Sequence, residues 1–256
     1  VKITVVPSAV SAVANDPLGY LTSFILNDTV AIDAGSLGFF QTAQDQARIR
    51  HLFITHTHID HVASLPIFVE NAYEGKADPV TIYACDPVLE SIQKDLFNNR
   101  VWPDFIALSN PKAPFLKLQR IAPGQTIEVD GLRLTPVPVD HVVPTVGYIV
   151  EDDASTVVFP SDTAPTSEVW RQANTRSNVK AVFLEATFPN NLKWLADVAK
   201  HLTPALFAAE ITKLQHPATF VAVHIKARYH RQVVDEMLAL NLPNLIIGKG
   251  GTTYSY

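Results

Sequence analysis

The sequence predicts an α/β chain, on three observations. Short apolar runs of strand length alternate with helix-length stretches along most of the chain. Several of those runs end on a His, Asp or Glu, as happens where open α/β layers gather ligands outside the carboxyl ends of their strands. The 256 residues are 47% hydrophobic, enough for one large core or two small ones.

Taken in order, residues 23–26 and 29–33 read as strands joined by Asn27-Asp28, a hairpin turn pair. Leu52-Phe53-Ile54 is a buried strand, 62–72 a helix and 81–84 a strand. Asp86 is expected to cap a helix over 87–98, with Pro87 in the first turn. Residues 103–114 read as a long loop, open to being either a lid or a passive connection. Strands follow at 132–139, 147–150, 156–159, 181–184, 220–223 and 245–247. Helices at 203–214, with Thr203 as N-cap before Pro204, and at 231–239 separate the last three strands. With no repeat, low-complexity tract or linker, residues 1–256 are expected to form a single domain.

Composition narrows the function. Net charge is −5 and no polybasic run occurs, which gives no support to general nucleic-acid or membrane-surface binding. No apolar stretch approaches the ~20 residues of a membrane span. The one cysteine, Cys85, excludes an intramolecular disulfide and a cysteine-rich zinc module; it reads as a small buried side chain.

The chemistry is concentrated in His56-Thr57-His58-Ile59-Asp60-His61. Alternation along an extended segment puts His56 and His58 on one face. A turn after them lets Asp60 and His61 point to a second position. One segment thus offers two nitrogens to one metal, and a carboxylate and a nitrogen to another. Imidazole with carboxylate suits zinc best, with iron or manganese as alternatives. His141, Asp162, Glu185 and His224 each follow or end an apolar run, so the topology can bring them to the same edge. Singly, each also reads as an ordinary packed or turn residue, Asp162 in Ser-Asp-Thr above all.

These residues resemble the metallo-β-lactamase superfamily. The hexapeptide matches its H-x-H-x-D-H signature, His141, Asp162 and His224 fall in the order of its remaining ligands, and Asp33-Ala34-Gly35 resembles its early Asp-x-Gly. The resemblance implies a four-layer αββα sandwich with the site at one edge of two sheets. It implies His56, His58 and His141 on one metal, Asp60, His61 and His224 on another, and Asp162 bridging. Two such cations lower the pKa of bound water toward about 7, so that the resulting hydroxide attacks the substrate.

Later segments narrow the resemblance. Residues 21–36, Val101-Trp102-Pro103-Asp104-Phe105, 159–165, 183–190, 199–204 and Val223-His224-Ile225-Lys226 are similar to class II cyclic-nucleotide phosphodiesterases. Glu185–Thr187, His201–Thr203 and His224–Tyr229 are also similar to elements of the tRNA 3′-processing ribonucleases. Ala63-Ser64 stands where these families usually have a glycine-containing turn, and Ala227 where proline usually follows. There is no Gly/Pro-rich inserted arm of the kind that grips tRNA. The expectation is hydrolysis of 3′,5′-cyclic nucleotides (cyclic AMP or GMP) to 5′-monophosphates. The alternatives are RNA 3′-end processing, another superfamily hydrolase (arylsulfatase, lactonase or β-lactamase), or a binding domain that retained the fold.

The candidate catalytic residues are His201, Glu185 and Asp60, with His201 protonating the leaving ribose oxygen and Glu185 orienting it. Asp33 and Thr163 read as supports for ligands or as structural residues. Lys226 and Arg228 are candidate phosphate contacts, with ordinary surface charge the competing reading. Trp102, Phe105, Phe188 and Trp194 read as base-stacking or core residues, and His51, His216 and His230 receive no role. The expected partner is a small phosphodiester, with no nucleic acid and no membrane; a homodimer stays open. The chain begins Val1-Lys2 without Met, and related bacterial proteins are often exported. A removed signal peptide and a periplasmic or secreted location are therefore the expectation, with the cytoplasm the alternative.

Overall fold

A computed structural model describes residues 1–8 and 21–256. Among the described residues the strands are β1 (Lys2–Val5), β2 (Phe24–Leu26), β3 (Val30–Ile32), β4 (His51–Phe53), β5 (Val80–Ala84), β6 (Leu116–Arg120), β7 (Ile127–Val129), β8 (Leu132–Pro138), β9 (Val146–Glu151), β10 (Thr156–Ser161), β11 (Val179–Glu185), β12 (Thr219–Val223), β13 (Leu245–Ile247) and β14 (Thr253–Ser255). They form two sheets of seven, in the orders β14-β1-β2-β3-β4-β5-β6 and β13-β12-β11-β10-β9-β8-β7.

Three apolar layers make this an αββα sandwich. Between the sheets, Phe24, Ile32 and Phe53 meet Tyr148, Phe159 and Phe183. Outside the first sheet, Ala31, Leu52 and Ile82 pack under Leu65, Phe68 and Leu89. Outside the second, Val182, Leu184 and Phe220 pack under Trp170, Phe207 and Met237. Neighbouring residues such as Ala181 and Val182 serve opposite layers, so both faces of each central strand are buried. That is why these strands read as unbroken apolar runs rather than as alternation.

The topology sets where the chemistry falls. β3 through β6 run parallel, as do β10 through β13. β9 lies antiparallel between β8 and β10, so those two run the same way. The residues after β3, β4, β8, β10 and β12, and the last residue of β11, therefore collect at one edge. Tyr148 Oη donating to the Ile54 carbonyl (3.0 Å) and Val146 N donating to the Thr55 carbonyl (3.2 Å) tie the two sheets together there.

The local expectations hold at the first hairpin. Asn27 and Asp28 take φ of 46° and 65°, the left-handed pair of a type I′ turn. Thr203 caps its helix, Pro204–Ile211, accepting from Leu206 N. Others are corrected. Asp86 is not the cap of its helix. Cys85 holds that place with extended backbone, the helix Asp86–Ser91 begins one residue early, and a π-type turn at Ile92–Leu96 continues it. The helix expected over 62–72 is two, Ile59–Val62 and Leu65–Ala72, broken at Ala63-Ser64. The break has a use: buried Ser64 Oγ donates to the Ala34 carbonyl and accepts from Gly38 N, both at 2.8 Å. The segment 103–114 is anchored rather than a free loop. Asp104 caps the turn Phe105–Leu108, and Phe105 is buried, its ring stacked on Phe115 at 4.4 Å. Sequence reading missed edge strands such as β7, although the Asp130-Gly131 turn (φ 47° and 77°) was a hairpin signal.

Candidate metal centre

The segment after β4 carries the hexapeptide into the edge between the sheets. His56 is fully buried and His58 ends the extended stretch before the helix Ile59–Val62, which carries Asp60 and His61. Asp33, one residue past β3, holds this segment in place from below with its backbone at φ 59°. Its carboxylate accepts from Thr55 N (2.8 Å), Thr55 Oγ1 (2.8 Å) and His61 Nδ1 (2.7 Å). Thr55 Oγ1 in turn lies 3.0 Å from His56 Nδ1. A proton on each Nδ1 satisfies this relay; it leaves Nε2 of His56 as a lone pair facing the edge, while Nε2 of His61 faces the same edge against Asp162 and becomes a donor to a cation on losing its proton. Ser161 and His224 also take left-handed backbone, with φ of 61° and 54°. Non-glycine strain of this kind gathers where a side chain must be re-aimed.

The second sheet supplies the rest. His141 Nδ1 donates to the Lys200 carbonyl (3.0 Å), turning Nε2 to 3.1 Å from His58 Nδ1. Asp162 follows β10. Its Oδ2 lies 3.3 Å from His61 Nε2, 3.4 Å from His224 Nε2 and 3.7 Å from His56 Nε2. His224 Nδ1 meets the Thr187 hydroxyl at 2.9 Å, and its Nε2 lies 3.2 Å from Asp60 Oδ2.

Three groups of ligand atoms result, each mutually within 4.8 Å: His56, His58, His141 and Asp162; Asp60, His61 and His224; and Asp162, His201 and His224. Divalent cations fit this donor set. Nε2 of His56 is buried without a hydrogen-bond partner, an expensive state for a polar atom unless a cation takes its lone pair. The first group could hold one ion, the second another, and Asp162 stands between them.

Charge follows the same geometry. Burial pulls His56, His58 and His141 below the ordinary histidine range, which keeps their nitrogens unprotonated and able to ligate. Burial also opposes the His61 imidazolium, but Asp162 and Asp33 outweigh it and hold His61 well above that range. Burial works against the Asp162 carboxylate, yet His224, His61 and His56 keep it well below the usual carboxylate range. Asp60 is lowered in the same way, by His224, His61 and Lys226.

Beside these groups sits a buried acid–base pair. His201 Nδ1 lies 2.8 Å from Glu185 Oε1. Glu185, at the end of β11, is only 1% exposed and is held by Thr163 N (2.8 Å), Leu202 N (3.0 Å) and the Thr187 hydroxyl. The His201 ring lies 5.0 Å from that of His141 and 5.5 Å from that of His224, between the two ligand groups. Burial lowers His201, but Glu185 reverses this and raises it above the ordinary value.

The structure thus gathers His56, His58, His141, Asp60, His61, Asp162, His224, His201 and Glu185 at one edge, with Asp33 and Thr163 behind them. Lys226 also reaches this edge, with Nζ 2.8 Å from Asp60 Oδ2. Arg228 sits on the next turn, its guanidinium 6.0 Å from the Tyr229 ring centre. Phe188 lies 5.7 Å from His201 ring to ring, whereas Trp102 and Phe105 belong to the outer core and Trp194 is exposed. His51 bonds Tyr83 Oη. Thr55 and Thr187, whose hydroxyls connect ligands to carboxylates, received no role from sequence. A threonine at the end of an apolar run was the available signal.

Comparison with known proteins agrees with this architecture. The family pattern described as "Beta-lactamase superfamily domain" matches residues 28–225. A "Probable 3′,5′-cyclic-nucleotide phosphodiesterase" of Yersinia pestis is 27% identical over 244 residues, covering 77% of this chain and 68% of the relative. A "Ribonuclease BN" of Proteus mirabilis is 23% identical over 244 residues, covering 75% of this chain and 76% of the relative. The crystal structure of unliganded yeast PDE1 superposes with a TM-score of 0.76 at 17% identity, covering 98% of both chains.

Proposed function

The chain belongs to the metallo-β-lactamase superfamily, and within it we propose a binuclear metal-dependent phosphodiesterase that hydrolyses 3′,5′-cyclic nucleotides to 5′-monophosphates. The observation that carries this reading is the His201–Glu185 pair, buried and set between the two ligand groups. A phosphodiester with a ribose leaving group needs a proton delivered to the departing oxygen. An imidazolium backed by a buried carboxylate is suited to deliver it.

Bound divalent cations, with zinc the best match to the ligands, would neutralise charge on phosphorus and supply a water nucleophile ionised near neutral pH. The chain's own residues do the rest. Asp33, Thr55, Thr187 and the Lys200 carbonyl fix the ligand rings. As the bond from phosphorus to O3′ breaks, Nε2 of His201 gives its proton to that oxygen. Glu185 stabilises the charged ring beforehand and holds its orientation throughout. The phosphorus keeps its bond to O5′, which makes the product a 5′-monophosphate.

Space for the rest of the substrate lies next to His141. A groove of about 650 Å³, lined by Pro87, Ile121, Pro123, Val139, Val142 and Pro144 among others, is of the size and apolarity that small-molecule sites use. The ribonuclease BN relative and the shared His201–Thr203 and Glu185–Thr187 elements favour RNA 3′-end processing as a second reading.

The test has two arms on metal-loaded protein. Cyclic AMP is expected to exceed precursor tRNA and nitrocefin in kcat/KM by a wide margin; precursor tRNA leading would establish the second reading instead. Replacing His201 with Ala is expected to cost cyclic AMP about 10²–10⁴-fold, and a diester with a nitrophenol leaving group far less. Equal losses on both would remove His201 as the leaving-group acid.

A further inference from the structure

Lys226 occupies a place that the mechanism above leaves unused. It lies past β12, where its backbone N donates to the Thr187 carbonyl (3.3 Å). Its side chain returns to the edge and donates to Asp60 Oδ2 at 2.8 Å. The same oxygen lies 3.2 Å from His224 Nε2. The Asp60 side chain is 17% exposed and that of Lys226 39%, so the pair sits at the rim of the site. An ammonium therefore already holds a carboxylate oxygen that a cation shared by Asp60, His61 and His224 would also require.

We propose that Lys226 is an internal counter-cation that competes with the second metal ion for Asp60, and that a substrate phosphoryl group relieves the competition by drawing Lys226 away. Two positive charges on one carboxylate edge repel, so entry of the second ion must loosen the Lys226–Asp60 bond. A lysine is suited to such an exchange. Its charge sits at the end of a flexible four-carbon stem and has three donors, which a phosphoryl oxygen can accept. Free of substrate, Lys226 neutralises Asp60. With a phosphodiester in place, Lys226 bonds the phosphoryl oxygen and Asp60 turns to the ion. By linkage the effect is reciprocal: the second ion tightens the phosphoryl group by the same factor. Lys226 is thus a positioning residue that makes the binuclear state depend on substrate.

The phosphoryl half of this inference rests on the phosphodiesterase reading; the competition for Asp60 does not. Manganese, counted by electron paramagnetic resonance at controlled free ion, reads the two ions without reference to turnover, and 5′-AMP serves as the phosphoryl probe. In the native protein, 5′-AMP is expected to tighten the second ion about tenfold. Lys226→Met is expected to bind that ion about tenfold tighter with no nucleotide present, with 5′-AMP tightening it less than in the native protein. Lys226→Arg, which keeps the charge, is expected to restore weak second-site binding. The first ion, unchanged in all three proteins, reports that each variant is folded. If Lys226→Met holds the second ion no more tightly than the native protein, the competition is overturned. If 5′-AMP tightens it equally in both, the coupling through Lys226 is overturned. If cyclic AMP is not a substrate but Lys226→Met gains the second ion, the competition stands and the phosphodiesterase reading falls.

Discussion

Gly35 is expected to set how tightly the second metal ion binds. It lies against the backbone of the metal-binding segment. A Cβ added there would sit 2.1 Å from the Asp60 carbonyl oxygen, 2.7 Å from Thr22 N and 2.8 Å from Thr22 O. These are the atoms of a hydrogen-bonded junction: Thr22 N donates to Asp60 O at 2.8 Å, and Gly35 N donates to Thr22 O at 3.0 Å. To restore ordinary contact near 3.4 Å, the Asp60 carbonyl must retreat by about 1.3 Å, and all three neighbours are backbone atoms rather than a flexible side-chain end that could yield instead. Overpacking of this kind costs about 1–3 kcal/mol, and loss of the Thr22–Asp60 bond about 1 kcal/mol more. For a chain of this size that lowers the melting temperature by roughly 4–16 °C. The larger effect is on the site, because Asp60 is itself the displaced residue. Gly35→Ala is expected to weaken the second ion about 10–100-fold, the range seen when the supports of a metal ligand are removed. The first ion, held by His56, His58 and His141, is expected to remain. Metal analysis of dialysed protein across a range of free ion, with calorimetry alongside, measures both. Two ions per chain at native affinity in Gly35→Ala would refute the reasoning.

Three further outcomes are expected. Asp33→Asn replaces the oxygen that accepts from both His61 Nδ1 and Thr55 Oγ1, so affinity for both ions should fall about 10–100-fold in metal titrations; native affinity would show that the relay does not orient the ligands. Stripping the metals with a chelator should lower the melting temperature reversibly, since an ion at a hundredfold excess over its Kd stabilises by about 2.7 kcal/mol; an unchanged transition would mean that the folded site does not bind them. Trp170→Phe removes the indole N–H that donates to buried Glu210 at 2.7 Å, a pair that belongs to none of the ligand groups. It should cost about 1–3 kcal/mol in denaturant melts with metal content unchanged, and equal stability would count against that bond.

Much of the fold and site was legible because burial writes itself into sequence. Strands covered on both faces are mostly apolar, so β8, β10, β11 and β12 appeared as runs ending at the residues that now line the edge. Asn27-Asp28 was legible because its backbone needs two left-handed residues. What stayed hidden depends on neighbours distant in the chain. β6, with an exposed or half-buried outer half, carries little apolar signal, and it is defined by its pairing with β5. The cap at Cys85 has no side-chain hydrogen bond, so residue type alone pointed one position too far to Asp86.

By itself the sequence determined the α/β alternation and the donor types. The hexapeptide and the strand-end residues are local facts of order and spacing, and imidazole with carboxylate restricts which ions suit them. The division of those donors, implied in sequence only by resemblance, is brought about by the tertiary structure. Asp162 reaches His56, His61 and His224 because β10 delivers it between segments more than 60 residues away on either side. The hydroxyls of Thr55 and Thr187, the Lys200 carbonyl and the Lys226 ammonium acquired their parts in the same way. Each acts through one hydrogen-bonding atom, and which ring or carboxylate that atom meets is fixed by two sheets packing together, not by the residue's own place in the chain.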